Sequence, residues 1–160
     1  ETGEVVRREA TVWATAERHL AHECEPLPLA LFQCGCPFRD WALAGLSGLG
    51  RPYRVAYTSA SIAGILAAVT AGLAVTVLCR SILPTGVRPL GIEEGRPCAR
   101  HRRVQLGIEE GFPPLPSASI ALHRGSSVSA VAECLADYIR EGFGADAPLV
   151  SSVDRISVAA

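Results

Sequence analysis

No charge of one sign prevails in these 160 residues: 15 Lys and Arg face 16 Asp and Glu, for a net charge of -1. The chain lacks the basic field on which sequence-independent nucleic-acid binding rests, so by itself it is not expected to bind DNA. No export signal is expected either. Glu1 to Arg8 mixes charges where a signal peptide carries a basic start and then an apolar run. The expected setting is therefore the cytoplasm, and the six cysteines (Cys24, Cys34, Cys36, Cys79, Cys98 and Cys134) are expected as reduced thiols rather than as a disulfide framework. Machinery for hydrolysis or group transfer is equally scarce. There is no Gly-x-Ser-x-Gly elbow, no Gly-x-x-x-x-Gly-Lys phosphate loop and no His-Glu-x-x-His, and His101 and His123 stand apart from carboxylates along the chain. The expectation is a protein that is no enzyme and needs no cofactor.

What is there is apolar. Hydrophobic residues make up 49% of the chain, enough for one globular domain with a buried core. The longest apolar run, Ile62 to Cys79, has the 18 residues that a membrane span would need. Ala and Gly supply much of it, however, and Gly72 stands where a helix C-cap would precede a buried strand. The run is read as a helix followed by a strand, and no membrane association is expected.

Spacing and punctuation divide the middle of the chain into alternating strands and helices. Pro28 to Gln33 reads as a buried strand, and Pro37 suits the first turn of a helix that carries Phe38, Ala42, Leu46 and Leu49 on one face and ends before Gly50. Tyr53 to Tyr57 is the next strand. Thr58, Ser59 and Ser61 offer caps for a helix with Ile62, Ile65, Leu66 and Val69 on its apolar face, closed by Gly72. Ala74 to Leu78 has the composition of a central parallel strand, and Val87 to Leu90 adds a shorter one. Ser119 to His123 alternates weakly as a strand. The helix after it would place Val128, Val131, Ala132, Leu135, Tyr138 and Ile139 on one face and stop at Gly142. With Thr11 to Thr15 as a further strand, this is the order of an α/β sheet whose central unit is flanked by the two ends of the chain.

One hexapeptide recurs: Leu90-Gly-Ile-Glu-Glu-Gly95 returns sixteen residues later as Leu106-Gly-Ile-Glu-Glu-Gly111. Two copies are too few for a solenoid. A tandem duplication that lengthens a solvated surface loop, with Arg96, Arg100, His101, Arg102 and Arg103 between the copies, is the expectation.

Taken in order, Leu29-Ala-Leu-Phe32, Cys36-Pro-Phe-Arg39, Gly50-Arg-Pro-Tyr-Arg-Val-Ala-Tyr-Thr-Ser59, Ala67-Ala-Val-Thr-Ala-Gly-Leu-Ala-Val-Thr-Val-Leu78 and Pro113-Pro-Leu-Pro116 resemble LysR-type transcriptional regulators. Ala74 stands for the family's usual Gly and Cys79 for its usual Pro. The resemblance covers Glu4 to Gly142 and implies a fold similar to type 2 periplasmic binding proteins, two α/β lobes with a small-molecule effector in the cleft. This chain would supply mainly the second lobe, a three-layer αβα unit, with partial first-lobe segments. The resemblance divides it into a first-lobe segment and crossover (1–26), the second lobe (27–90), the duplicated loop and return crossover (91–116), a returning strand and helix (117–142) and a tail (143–160). The family's helix-turn-helix has no counterpart in these residues, so DNA would be reached only through it. Family behaviour also implies a homo-oligomer.

Open α/β sheets bind ligands outside the carboxyl ends of their strands, where helix N-termini present unpaired N–H groups. Three loops of this kind, Cys34 to Phe38, Thr58 to Ser61 and Cys79 to Ser81, are expected at the effector cleft and could hold a small carboxylate. The candidate effector-binding residues are Cys36, Phe38, Arg39, Thr58, Ser59, Ser61 and Arg80. Each has a plainer alternative: helix capping for the hydroxyls, core packing for Phe38 and simple solvation for the arginines. Two readings from other classes stand beside this one. A transporter's solute-binding protein shares the architecture but carries an export signal. A thiol or metal protein built on Cys34-Gly-Cys36 lacks further ligands at paired spacing, since His19, His22 and Cys24 lie in a separate segment.

Overall fold

The computed structural model of the chain describes residues 3–91, 111–125 and 129–144. Along them run β1 (Glu4–Glu9), β2 (Thr11–Ala16), β3 (Leu27–Leu31), α1 (Pro37–Gly48), β4 (Tyr53–Thr58), α2 (Ile62–Thr70), β5 (Thr76–Cys79), β6 (Val87–Pro89), β7 (Ala118–Leu122) and α3 (Ala130–Gly144). The chain divides between Glu9 and Ala10, and again between Pro116 and Ser117, into two compact units. Thr11–Ala16 thus counts with the central unit.

In the central unit β3 and β4 run parallel, from Leu27 opposite Tyr53 to Leu31 opposite Thr58. β2 is the middle of an antiparallel ladder with β5 on one side and β6 on the other. A parallel bridge between Leu29 and Val75 joins the two ladders, with the Ala30 N–H donating to the Val75 carbonyl and the Val75 N–H to the Pro28 carbonyl, both at 2.9 Å. The strand order across the array is β4-β3-β5-β2-β6. The expectation of a central parallel strand at Ala74 to Leu78 is corrected here. The regular strand is Thr76–Cys79, parallel to its neighbour only through the bridge and antiparallel to β2 along its length. A strand buried on both faces carries the same apolar residues whichever way its neighbours run, so composition did not reveal the direction.

Side-chain alternation turns this sheet into three layers. Leu27, Leu29, Leu31, Trp13, Val75 and Val77 point to one face, where Ala42 and Leu46 of α1 meet them. Ala14, Ala30 and Ala74 point to the other, where they meet Ile65, Ala68 and Val69 of α2. Small residues beneath α2 and large ones beneath α1 fill the two layers to different depths. Pro37 opens α1, and the turn after it carries Gly50 at φ 62°. The apolar run Ile62 to Cys79 divides as expected: α2 ends at Thr70, and Gly72 turns the chain at φ 73°. A side chain at Gly72 would also meet His19, whose Cβ lies 2.6 Å from where it would stand. Among the described residues no helix is long and apolar enough to cross a membrane. Ile62, placed by spacing on the apolar face of α2, is 39% exposed, because the first turn stands at the rim of the sheet.

Trp13 anchors the return segment. Its Nε1–H donates to the Pro113 carbonyl at 2.9 Å, and its ring lies 5.1 Å from that of Phe112. The Leu90 N–H donates to the Trp13 carbonyl at 2.8 Å, so one residue holds the chain on both sides of residues 91–110. Arg51 covers Phe112 at 4.5 Å and donates to the His22 carbonyl at 2.6 Å. Burial lowers the Arg51 pKa, against the opposing effect of Glu25. Residues 92–110, with the basic stretch Arg96 to Arg103 and all of the two hexapeptide copies but Leu90, Gly91 and Gly111, lie outside the described residues, as do Val128 and the tail from residue 145.

The second unit pairs β1 antiparallel with β7, Glu4 opposite Leu122 through to Glu9 opposite Ala118. The pattern Glu-Val-Val-Arg-Arg-Glu over Glu4 to Glu9, with no apolar alternation, hid β1 from the sequence reading. Glu4 accepts hydrogen bonds from Arg124 and Arg140, tying the strand to the segment before α3 and to α3 itself. One expectation for this helix is corrected: it runs through Gly142 to Gly144. Ala136 is buried, whereas Val131, Leu135 and Tyr138 of the apolar face are exposed. Helical spacing identifies an apolar stripe but not which neighbour is present to cover it, and among the described residues of this unit α3 packs mainly against β1.

Candidate functional site

The topology places the expected loops together. β3, β4 and β5 all point their carboxyl ends to one edge of the sheet, since β3 is parallel to β4 along its length and to β5 at the bridge. β3 leads into α1 on one face, and its neighbour β4 leads into α2 on the other. Adjacent strands whose connections leave to opposite faces open a crevice between their carboxyl ends. At this edge the Ser59 N–H donates to the Leu31 carbonyl at 3.2 Å and joins the end of β4 to that of β3.

On the α1 side, Cys36 is the N-cap. Its carbonyl accepts from the Arg39 and Asp40 N–H groups at 3.0 and 3.2 Å, while its thiol makes no capping bond. Gly35, at φ 88°, makes the preceding turn. Phe38 sits 6.4 Å from the Phe32 ring and edge-on to Trp41 at 5.5 Å, packed against the α1-side core. Arg39 is half-buried, and its Nη1 donates to the Phe32 carbonyl at 2.9 Å. One of its donors is thus spent on fixing the end of the strand rather than held for a ligand. Phe32 and Trp41 were not among the sequence-based candidates. Trp41, three residues after Phe38 on a helix, was the available signal.

On the α2 side, Thr58 ends β4 opposite Leu31, with its side chain exposed. Ser59 Oγ accepts from the Ser61 N–H at 3.1 Å, and Ser61 Oγ accepts from the Ala63 N–H at 3.2 Å as the N-cap of α2. Capping is therefore a real role of these hydroxyls. Each oxygen nevertheless carries a proton of its own to donate. Gly64, inside the first turn of α2, was also missed by the sequence reading, although a glycine there is an unfavourable helix former and so a signal.

Arg80 stands at the end of β5, where its N–H donates to the Ala10 carbonyl at 2.8 Å and its side chain is exposed. Cys34 is exposed and Cys36 half-buried, and among the described residues neither is in a disulfide. Among the described residues no group of three or more His, Cys, Asp and Glu is placed to hold a metal ion.

A three-layer α/β unit with loops gathered at the carboxyl edge of its sheet defines the class, a lobe similar to those of type 2 periplasmic binding proteins. The comparisons give the family. The model of the LysR substrate binding domain matches residues 2–144, and the chain belongs to that family. It is 34% identical over 119 residues to the HTH-type transcriptional regulator DgdR of Burkholderia cepacia, covering 74% of this chain. The chain spans about a third of that relative, 35% of its length. Among solved structures it is similar to the regulatory domain of CcmR from Synechocystis PCC6803 in complex with 2-PG, with a TM-score of 0.54 at 15% identity over 89% of this chain and 66% of that one. It is likewise similar to the effector binding domain of QuiR in complex with shikimate, with a TM-score of 0.51 at 10% identity over 89% of this chain and 65% of that one. At these identities the two structures establish the shared fold.

Proposed function

We propose that this chain is the sensing part of a bacterial LysR-type transcriptional regulator and binds a small organic effector, a carboxylate, at the carboxyl edge of β3, β4 and β5. The observation that carries this reading is that the carboxyl ends of β3, β4 and β5 share one edge of the sheet, where Phe38 and Arg39 open α1 after β3 and Thr58, Ser59 and Ser61 lead from β4 into α2. Arg80 adds a cation at the end of the third strand, and Cys36 brings the α1 N-terminus to the same edge. Two helix N-termini and three hydroxyl groups suit a small anion with hydrogen-bond acceptors. Two solved neighbours, the effector binding domain of QuiR with shikimate and the regulatory domain of CcmR with 2-PG, support a ligand of this size.

In this reading the effector acts by differential binding. A ligand that favours one arrangement of the full regulator shifts its population, and with it the affinity of a helix-turn-helix domain for DNA. The protein acts as a homo-oligomer in the cytoplasm and without chemistry of its own. Melting the 160-residue chain alone and with a panel of aliphatic and aromatic carboxylates tests the binding step. A ligand at about 100 times its Kd adds about 2.7 kcal/mol to the folded state, a shift of several degrees. A cooperative melt moved by one member of the panel is the expected result. A cooperative melt that no carboxylate moves would overturn it.

A further inference from the structure

The Thr58 to Ser61 loop is built around a missing side chain. A Cβ at Gly64 would fall well inside van der Waals contact with Ser59 Oγ and 3.1 Å from Ser59 Cβ. Gly64 lies in the first turn of α2, where glycine is a poorer helix former than alanine, and the residue shows no positive φ that would demand glycine. Its backbone conformation therefore does not explain it. The space it leaves does, because Ser59 Oγ occupies that space and accepts the Ser61 N–H from there at 3.1 Å.

We propose that Gly64 is a positioning residue for the effector site: by giving up its side chain it seats the Ser59 hydroxyl at the mouth of α2, oxygen toward the Ser61 N–H and proton toward the crevice. The proposal rests on the reading of this edge as the effector site and deepens it by naming the recognised chemistry. Ser61 repeats the arrangement, its oxygen engaged by the Ala63 N–H. Two neighbouring hydroxyls whose oxygens already accept backbone N–H groups have their own protons to offer, so the loop selects an acceptor such as a carboxylate over a ligand that only donates. Gly64→Ala would turn Ser59 to another rotamer and release the Ser61 N–H, with no need to unfold the helix, because the atom in the way is the end of a short side chain.

The test is a double-mutant cycle of Ser59→Ala, Gly64→Ala and both together in the full 160-residue chain. It is read by amide hydrogen exchange at Ser61 and by amide chemical shifts during titration with shikimate and with benzoate to millimolar concentration. Each single variant is expected to lower the protection of the Ser61 amide by the same factor, roughly threefold to tenfold for one hydrogen bond, and the double variant by no more than that. If Gly64→Ala leaves Ser61 protection unchanged, or if its loss adds to that of Ser59→Ala, Gly64 does not seat Ser59 and the proposal fails. The ligand arm decides separately. In the wild type the Ser59, Ser61 and Ala63 amides should move with at least one carboxylate, and the affinity should fall alike in all three variants. Exchange results as expected with amides that neither carboxylate moves would overturn the effector reading of this loop while leaving the seating of Ser59 in place. Gly64→Ser separates a general helix effect from the steric one. It should disrupt Ser61 protection as alanine does, since its Cβ meets the same atom.

Discussion

Replacing Trp13 by Phe isolates the anchor of the return segment. The smaller ring can still face Phe112, now 5.1 Å away, but the donor to the Pro113 carbonyl is lost. That carbonyl belongs to a buried residue, and the hydrogen bond that satisfies it is 2.9 Å long. Leaving a buried acceptor without its donor costs about 1–3 kcal/mol, to which the space left by the second indole ring adds a cavity cost. About 2 kcal/mol is a fair centre for the acceptor alone. For a unit of about a hundred residues this lowers the melting midpoint by roughly 8 °C, at about 4 °C per kcal/mol. The control is Trp41→Phe, which removes the same atoms from a half-buried ring whose described partner is Phe38, edge-on at 5.5 Å. Thermal denaturation followed by circular dichroism measures both. Equal midpoints for the two variants, or a Trp13→Phe midpoint within about 1 °C of wild type, would refute the view that the Trp13–Pro113 bond holds the return segment.

Two further outcomes follow from the same geometry. Gly72→Ala should destabilise the chain by about 2 kcal/mol or more in urea unfolding, because the position combines φ 73° with the close approach of His19, and a second change of His19→Gly, which removes the Cβ in the way as well as the ring, should recover only the steric part. Excising residues 90–105 joins Pro89 to Leu106 and restores the local sequence Pro-Leu-Gly-Ile-Glu-Glu-Gly-Phe. The excised chain should melt cooperatively and within a few degrees of the parent, with Leu106 taking the place of Leu90 against Trp13, and loss of the cooperative melt would show that the tandem segment is part of the fold.

Much of the fold was legible because each device acts locally. Pro37 at the start of α1, Ser61 as the cap of α2 and Gly72 at φ 73° are choices that one turn of chain enforces, and the structure keeps all three. The three loops at the carboxyl edge were legible for a related reason: strand–helix alternation fixes where carboxyl ends of parallel strands meet helix N-termini. Arg39 was less so. Sequence placed it near the crevice, but its bond to the Phe32 carbonyl depends on where β3 ends relative to α1. Gly64 was missed because its purpose is the absence of a clash with Ser59, which no pattern of residue types displays.

The sequence by itself determined the elements other than β1, the division of the apolar run Ile62 to Cys79 into helix and strand, and the family to which the ordered motifs belong. These depend on hydrophobic period, turn chemistry and short-range sterics, all written within a few residues. Tertiary structure alone decided that β5 lies antiparallel to β2, that Trp13 holds both Leu90 and Pro113, and that the apolar stripe of α3 faces outward. Each of these is a choice of partner across many residues. An apolar surface specifies that it be covered, whereas the residue that covers it is set by which segments the rest of the fold brings near.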